Sequence, residues 1–324
     1  MKVKVMHLLS TNKFSGAENV ACQIISLTND TIESIYVSPN GEIQKKLIQL
    51  KINYLPINKM NFKNVKIIVD KYNPDIIHAH DIKASIIAGF LYPKKKIISH
   101  IHSNMKNMQR LSIKSVLYNY FQKNFYYIIW VSQRALDDYF FNNRIKNKSI
   151  VMQNVVNMQE IIKKSNEALN QDFDLIFLGR LEKVKNPLRI IDIIKLIKIY
   201  KNDISIAIIG NGSLYEQMKI KITQLNLNNN IIMFGNLDNP YKYLKHSKLM
   251  IITSLYEGTP MCILEGMCLG LPIISTPVGE LTKIINNNVN GFLCNDNDNF
   301  VKNILNLLND SLLYKELSSN SIKT

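Results

Sequence analysis

The sequence has little that would cross-link or disorder the chain. Its 324 residues include 4 cysteines, 12 glycines and 9 prolines, and 46% of the residues are hydrophobic. A chain so poor in glycine and proline and so rich in apolar residues can bury sizeable cores, which excludes a disordered protein. No two cysteines have CxxC spacing, so we expect buried reduced thiols and neither a disulfide scaffold nor a zinc site.

Long hydrophobic runs are also missing. No apolar run reaches the roughly 18 residues that a membrane-spanning helix needs. The apolar stretch at the start is too short for a signal peptide. We therefore expect a cytoplasmic protein that contacts a membrane only from the inner face, as a peripheral protein.

Acidic residues are scarce, and the imbalance lies in the first half. The chain carries 40 Lys+Arg against 25 Asp+Glu, a net charge of +15. Residues 1–170 carry 24 basic and 11 acidic residues (+13), whereas residues 171–324 carry 16 and 14 (+2). The first half is thus expected to face an anionic partner: nucleic acid, anionic lipid or a phosphorylated substrate.

Short β-branched runs alternate with helical patterns and predict parallel strands joined by helices. Predicted strands are 3–9, 34–37, 76–79, 96–99, 126–131, 149–152, 174–178, 204–209, 231–234, 249–253 and 272–275. Predicted helices include 17–27, 42–51, 62–72, 113–123 and 188–200. The polar stretch Asn157–Gln171 separates two such series. We predict an α/β protein with two doubly wound Rossmann-like domains, 1–156 and 157–324, that face each other across a cleft, with ligands beyond the carboxyl ends of the strands.

Two turns that follow predicted strands suit phosphate. Gly16 opens a helix, where backbone N–H groups and the helix dipole favour an anion, although an ordinary strand–helix turn explains it equally well. In Gly179–Lys185, Arg180 can bind phosphate oxygens in bidentate fashion and Lys185 adds a point charge. Lys183 is the less favoured lysine, and a solvated basic loop is the alternative.

The segment Glu257–Glu265 is the most specific feature. Glu265 lies among apolar residues within a predicted helix, so its carboxylate needs partners to offset desolvation. Carboxylates accept hydrogen bonds from neighbouring sugar hydroxyls, and free N–H groups at the helix start can bind an anion or a hydroxyl. These N–H groups lie within Thr259–Cys262, and the segment assigned to ligand binding comprises Gly258, Thr259, Pro260 and Met261. The alternative is that Glu257 is an exposed acidic residue that caps the helix and that Glu265 is an ordinary acidic residue within it.

Four of the six histidines lie near two strand ends: His78, His80, His100 and His102. We expect alternating histidines on a strand to point to opposite faces, and no HxxxH spacing is present. The interpretation is therefore a polar wall at the cleft without a metal. The acid pair Asp172 and Asp174 is interpreted as a surface turn.

No acidic residue occurs between Asp81 and Asp137, where bases alternate with aromatic and aliphatic residues. A basic helix with aromatic edges suits an anionic membrane surface on the acceptor side. The alternative is a core helix with a solvated lysine face. The basic residues assigned to this side are Lys94, Lys95, Lys96, Lys106, Arg110 and Lys114. No nucleic-acid-binding motif is present, so no nucleic-acid partner is expected.

Taken together, these motifs resemble those of the retaining GT-B glycosyltransferases of sequence family four, many of which build bacterial surface polysaccharides. The E-x7-E motif is matched by Glu257 and Glu265, and G-R-L-x-x-x-K by Gly179–Lys185. The glycine-rich turn is matched by Gly210 to Gly212, and the late N-G-F-L element by Asn290–Leu293. The resemblance covers nearly the whole chain.

The resemblance implies a role for each matched residue. Arg180 and Lys185 would neutralise the donor diphosphate. Glu265 would hold the donor ribose and Glu257 the transferred sugar. It also implies a metal-independent, cofactor-free reaction on a nucleotide-diphosphate sugar, with a UDP-sugar favoured over a GDP-sugar.

The resemblance implies two partners. The first domain would bind the acceptor, a lipid-linked or growing glycan, and the second domain would bind the nucleotide sugar. Gly16 would approach the phosphate, and His102 would line the donor sugar near the reacting carbon. Gly210 and Gly212 would lie on the donor side. The oligomeric state has no signature in the sequence.

Departures from the family pattern are Ser15-Gly16, Asn154-Val155 and Val278-Gly279-Glu280 where paired glycines or Asn-Gly are common. The family's C-terminal helix that crosses back to the first domain is expected to be missing, because the sequence reaches Thr324 about where that helix would begin. The rival hypotheses are a non-catalytic donor- or lipid-binding partner of another enzyme, and a nucleotide-sugar epimerase or phosphorylase of the same fold.

Overall fold

The computed structural model of the protein describes residues 2–102, 107–152, 154, 156–258 and 260–324. The chain divides into two compact units, Met1–Asn154 and Val155–Thr324. Each unit is a parallel sheet with helices in its connections, as the alternation of strand and helix patterns predicts.

The first unit contains seven strands and six α-helices in its described residues. The strands are β1 Val3–Leu8, β2 Ile32–Pro39, β3 Tyr54–Ile57, β4 Ile76–Ala79, β5 Lys96–Ile101, β6 Tyr127–Trp130 and β7 Ser149–Val151. The helices are α1 Gly16–Thr28, α2 Ile43–Gln49, α3 Phe62–Tyr72, α4 Ile82–Leu91, α5 Ile113–Phe121 and α6 Gln133–Asp137. The strand order is β3-β2-β1-β4-β5-β6-β7, so the direction of winding reverses between β1 and β4.

The described residues of the second unit contain six strands and eight α-helices. The strands are β8 Phe173–Leu178, β9 Ile206–Ile209, β10 Ile231–Gly235, β11 Ser247–Ile252, β12 Ile273–Ser275 and β13 Gly291–Leu293. The helices are α7 Met158–Ser165, α8 Leu188–Ile197, α9 Tyr215–Gln224, α10 Tyr241–Lys245, α11 Met261–Cys268, α12 Leu281–Ile284, α13 Asn297–Asn309 and α14 Ser311–Lys323. The order β10-β9-β8-β11-β12-β13 reverses between β8 and β11.

Two edge strands escaped the sequence patterns. β3 contains Pro56, and β13 has only three residues and begins with Gly291. Proline and glycine weaken a strand pattern, and both are tolerated at sheet edges. Gly291 is required there, because a Cβ atom at this position would lie 2.0 Å from the carbonyl oxygen of Ile273 on β12.

The stretch Asn157–Gln171, which separates the two predicted series, contains a helix, α7, which packs against α10 in the second unit. One prediction needs correction. Asp174 does not belong to a surface turn: it is buried within β8, and its Oδ1 lies 3.0 Å from Nζ of Lys248. A strand can carry a carboxylate inside when cations from its neighbours compensate the charge.

Candidate functional site

The first candidate site lies where the winding of the second sheet reverses. Because parallel strands end at one edge, the segments that follow β8 and β11 meet there, and such a reversal is where α/β sheets bind ligands. The turn Gly179–Lys185 follows β8, and the segment that contains Glu257 follows β11. The structure thus brings together two motifs that are more than seventy residues apart.

Hydrogen bonds join these two segments directly. The amide of Leu255 donates to the carbonyl of Val184 at 2.8 Å. The Thr253 hydroxyl lies 3.2 Å from the carbonyl oxygen of Lys185 and 2.9 Å from that of Asn186. The turn after β8 is therefore held by hydrogen bonds to the segment that follows β11.

Glu257 is the centre of a compact ion-pair network. Its Oε1 and Oε2 lie 2.5 and 2.7 Å from Nζ of Lys185, and the Ser254 hydroxyl donates to Oε1 at 2.6 Å. Glu257 is 7% exposed and the Lys185 side chain 17% exposed. Lys185 forms this pair, whereas Lys183 is exposed. Ser254 was not identified from the sequence, because an isolated serine near a strand end carries no pattern.

Arg180 has a different environment from Lys185. It is exposed, and its guanidinium makes no ion pair with any other residue that the structure describes. The nearby acid Glu182 accepts hydrogen bonds from the amide and hydroxyl of Ser213, at 3.0 and 2.6 Å. The guanidinium can therefore bind an anionic ligand without first breaking an ion pair within this part of the chain.

Glycines allow the turns around this site to approach one another. Gly210 has a φ of +138°, and a Cβ atom there would lie 1.9 Å from the carbonyl oxygen of Gly179. A Cβ atom on Gly212 would lie 2.5 Å from the carbonyl oxygen of Leu181. The glycine-rich turn after β9 thus packs against the turn Gly179–Lys185, with backbone against backbone. Gly279, with a φ of +59°, similarly packs on the backbone of Glu257.

Glu265 lies within α11, 8% exposed, with the Tyr241 hydroxyl 3.3 Å from its Oε1. Burial raises the pKa of Glu265 to about 7, although the tyrosine hydrogen bond opposes the shift. A carboxylate held this way gains most from a ligand that donates hydroxyl hydrogen bonds. Pro260 immediately precedes α11 and Met261 begins it, and a Cβ atom on Gly258 would meet open space. Thr259 lies outside the described residues.

In the first unit, Gly16 is the first residue of α1, and open space surrounds its Cβ position. Ser15 donates from its amide and hydroxyl to Glu18, at 3.0 and 2.5 Å, which fixes the start of the helix. Asp81 is the N-cap of α4 and accepts hydrogen bonds from the amide and hydroxyl of Ser10, at 2.7 and 2.8 Å. The segments after β1 and β4 are therefore tied together at the point where this sheet reverses.

The histidines form one buried cluster at the same edge of the first sheet. The expectation that alternating histidines face opposite sides is wrong, because residues two apart on a strand share a face. The rings of His78 and His80 stack with centroids 4.1 Å apart, and those of His100 and His102 lie 3.9 Å apart. His7 was not a candidate from the sequence, but it belongs to the same cluster, because the centroid of its ring is 5.1 Å from that of His78.

The basic residues assigned to the acceptor side do not share one edge. Lys94, Lys95 and Lys96 precede or begin β5, whereas Arg110 and Lys114 follow its carboxyl end. Lys95 donates to Asn73 Oδ1 and to the carbonyl oxygen of Pro74 at 3.0 and 2.9 Å. Lys106 lies outside the described residues.

Helix α5 instead presents an apolar stripe to solvent. Its members lie at i, i+3, i+4 and i+7, which places them on one face. They are Ile113, Val116, Leu117 and Tyr120, which are 80%, 43%, 40% and 58% exposed. Among the residues that the structure describes, no helix is long and apolar enough to cross a bilayer.

Comparison with known proteins defines the class of enzyme. Residues 158–324, just over half of the chain, match the family model of glycosyl transferases group 1. An uncharacterized glycosyltransferase of Methanocaldococcus jannaschii is 30% identical over 290 residues, which covers 78% of this chain and 71% of the relative. The protein belongs to the group 1 glycosyltransferase family.

Two further similarities are to a galactosyltransferase and to a solved structure with bound UDP. An Escherichia coli UDP-Gal:alpha-D-GlcNAc-diphosphoundecaprenol alpha-1,3-galactosyltransferase is 24% identical over 354 residues, which covers 96% of this chain and 89% of the relative. The structure of Anabaena HepE in complex with UDP and glucose aligns with a TM-score of 0.85 at 18% identity, over 99% of this chain and 94% of HepE. The fold is therefore the GT-B arrangement of two Rossmann-like domains that the motifs imply.

Proposed function

We propose that this glycosyltransferase moves a sugar from a nucleotide-diphosphate sugar, with retention of anomeric configuration, to a lipid-linked or growing glycan of a bacterial surface polysaccharide. The observation that carries the proposal is the network of Lys185, Glu257 and Ser254 beside the Arg180 turn, at the point where the second sheet reverses. This edge combines cations that suit a diphosphate with carboxylates that suit sugar hydroxyls.

The proposed mechanism assigns one task to each group. Arg180 binds the donor phosphates and offsets the charge that develops on the leaving diphosphate. Lys185, oriented by Glu257, adds positive charge without a metal ion. Glu257 accepts hydrogen bonds from the transferred sugar, and Glu265 accepts them from the ribose. On the first unit, Gly16 leaves room for a phosphate, and His102 lines the transferred sugar.

The comparisons support the substrate classes. HepE was solved with UDP and glucose, which favours a UDP-sugar donor over a GDP-sugar. The Escherichia coli relative and a Campylobacter jejuni relative are named for acceptors on diphosphoundecaprenol. A Staphylococcus aureus relative is named as a capsular polysaccharide biosynthesis glycosyltransferase. A lipid-linked acceptor also suits the net charge of +13 in residues 1–170.

A lipid-linked acceptor requires access to the membrane, and we assign that contact to α5. The exposed stripe Ile113, Val116, Leu117 and Tyr120 is flanked by the exposed cations Lys114 and Lys123. An amphipathic helix of this kind lies in the interface of an anionic bilayer. The protein would act peripherally at the inner face of the cell membrane.

The first test is thermal stabilisation by UDP-, GDP-, ADP- and TDP-sugars, with chelator present, followed by transfer to lipid-linked extract. A donor at about 100 times its Kd adds roughly 2.7 kcal/mol of stability. We expect stabilisation by UDP-sugars and transfer only when acceptor is added. Product without acceptor would instead indicate an epimerase. Donor binding with turnover only after addition of a second protein would indicate a non-catalytic partner.

A further inference from the structure

Five of the six histidines meet in one cluster at the carboxyl edge of the first sheet. His7 lies on β1 in register with His78 on β4, and His100 lies on β5. His80 and His102 follow the ends of β4 and β5 directly. The sixth, His246, lies in the second unit and pairs with Asp172. Of these histidines, the sugar transfer proposed above gives a role only to His102.

Only some of the ring nitrogens in the cluster form hydrogen bonds with described residues. His7 Nδ1 lies 3.0 Å from His80 Nε2, and His80 Nδ1 lies 3.0 Å from His102 Nε2. Four buried ring nitrogens have no hydrogen-bond partner among the described residues: His78 Nε2, His100 Nδ1, His100 Nε2 and His102 Nδ1. Buried polar atoms without partners are rare in native proteins, and a bound ion or water is a standard explanation.

We propose that His80, His100 and His102 form a binding site for one divalent transition-metal ion of the Zn²⁺ class. One nitrogen from each of the three rings falls within a span of 4.8 Å. Three imidazoles with an open fourth position are an established zinc ligand set, with metal–nitrogen distances of about 2.0–2.1 Å. Such a tetrahedral site requires nitrogens roughly 3.4 Å apart, so the rings need only rotate and converge slightly.

A second trio, His7, His78 and His80, also has one nitrogen from each ring within 4.8 Å of the others, and it shares His80 with the first. Three of the four unpartnered nitrogens belong to His100 and His102, which favours the first trio. His102 is also only partly buried, whereas every member of the second trio is buried, so the first trio offers a route of entry.

The test uses the full chain, stripped with EDTA and titrated with Co²⁺ and then with Zn²⁺. We expect one Co²⁺ per chain, with a visible absorption band that Zn²⁺ abolishes. His100→Phe should weaken binding at least about tenfold, since even outer-shell changes cost 10- to 100-fold. His78→Phe is the matched control, because it replaces a buried ring of the same cluster outside the trio and should leave affinity unchanged.

Several results would overturn the proposal. One is the absence of a Co²⁺ band in the wild-type protein; another is equal affinity in wild type and His100→Phe. Loss of binding in His78→Phe but not in His100→Phe would assign the ion to the other trio. Binding abolished by His246→Gln would place it in the second unit. Circular dichroism and melting of each metal-free variant show whether the variant is folded, and sugar transfer is not needed for any readout.

Discussion

The ammonium group of Lys185 lies 2.5 and 2.7 Å from the two carboxylate oxygens of Glu257. The two residues belong to different turns, after β8 and after β11, and are brought together where the sheet reverses. A lysine that sequence reasoning assigned to the donor diphosphate thus also compensates a buried acid. Under the proposed function, stability and donor recognition share this pair, and variants can separate the two.

Replacing Lys185 by Met should destabilise the second unit by about 3 kcal/mol, because it leaves the Glu257 carboxylate buried without its cation. The double variant Lys185→Met/Glu257→Gln should lose less than Lys185→Met alone, since it also removes the uncompensated charge. Thermal unfolding by calorimetry measures both. The control is Lys66→Met, which breaks an exposed pair with Asp70 and should cost less than about 1 kcal/mol. Equal losses in the single and double variants would refute the coupling.

Replacing Arg180 by Ala should weaken donor binding about 10- to 100-fold while leaving the unfolding temperature of the unliganded protein unchanged. A hydrogen bond to a charged group contributes about 1.5–3 kcal/mol, and Arg180 makes no ion pair within the described residues whose loss would affect stability. Calorimetric titration with a UDP-sugar measures the effect. Lys183→Ala is the matched control, because Lys183 is an exposed cation in the same turn. A loss of similar size in Lys183→Ala would mean that only the net charge of the loop matters.

Glu265 should make stability depend on pH. Its pKa is about 7 in the folded protein against a reference value of 4.5, because burial disfavours the charged form. In the pH window between these values the folded state holds a proton that the unfolded state has lost, so stability falls as pH rises. The total loss is about 3 kcal/mol by pH 8, and Glu265→Gln should not show it. Urea unfolding of both proteins from pH 4.5 to 8 measures the difference, and parallel curves would contradict the assignment.

Donor binding should show the opposite trend with pH. The ionised carboxylate accepts hydrogen bonds from both ribose hydroxyls, whereas the protonated form has less acceptor capacity. The affinity of the wild-type protein for a UDP-sugar should therefore rise between pH 6 and 8. The affinity of Glu265→Gln should be weaker and flat over the same range. Matching pH profiles for the two proteins would remove Glu265 from the donor site.

The apolar stripe of α5 should determine membrane binding. Ile113→Asp should reduce the affinity for vesicles that contain anionic phospholipid at least about tenfold, because burying an isoleucine side chain contributes about 1.5–3 kcal/mol. Vesicle co-sedimentation measures the loss. The control is Ile67→Asp on α3, which also replaces an exposed isoleucine of the first unit, 57% exposed, and should leave binding unchanged. Equal loss in both variants would show that α5 has no special role.

Much of the architecture follows from the sequence because its causes are local. The helix predicted over residues 62–72 and the strand predicted over 76–79 have the same bounds in the structure. The hydrophobic periodicity of α3 and its capping residue, Asn61, lie within a few residues of each other in the sequence. The turn Gly179–Lys185 and the spacing of Glu257 and Glu265 are also local, so they indicated the family before any contact was known.

What the sequence could not supply depends on strand order and register. That Lys185 pairs with Glu257 follows from the placement of β8 beside β11, and no spacing along the chain encodes it. The hydrogen bond from Tyr241 to Glu265, which partly compensates the buried carboxylate, likewise joins two separate helices.

The histidines show most clearly what depends on the sequence and what depends on the tertiary structure. The sequence by itself contained the placement of His78 with His80, and of His100 with His102, on one face, because side chains alternate along a strand, although our prediction assigned them to opposite faces. Only the tertiary structure placed β1, β4 and β5 side by side and so united these pairs with His7. Periodicity acts over a few residues, whereas the choice of neighbouring strands is made by burial of the whole sheet. Motifs were therefore visible in the sequence, and the contacts between them arose only on folding.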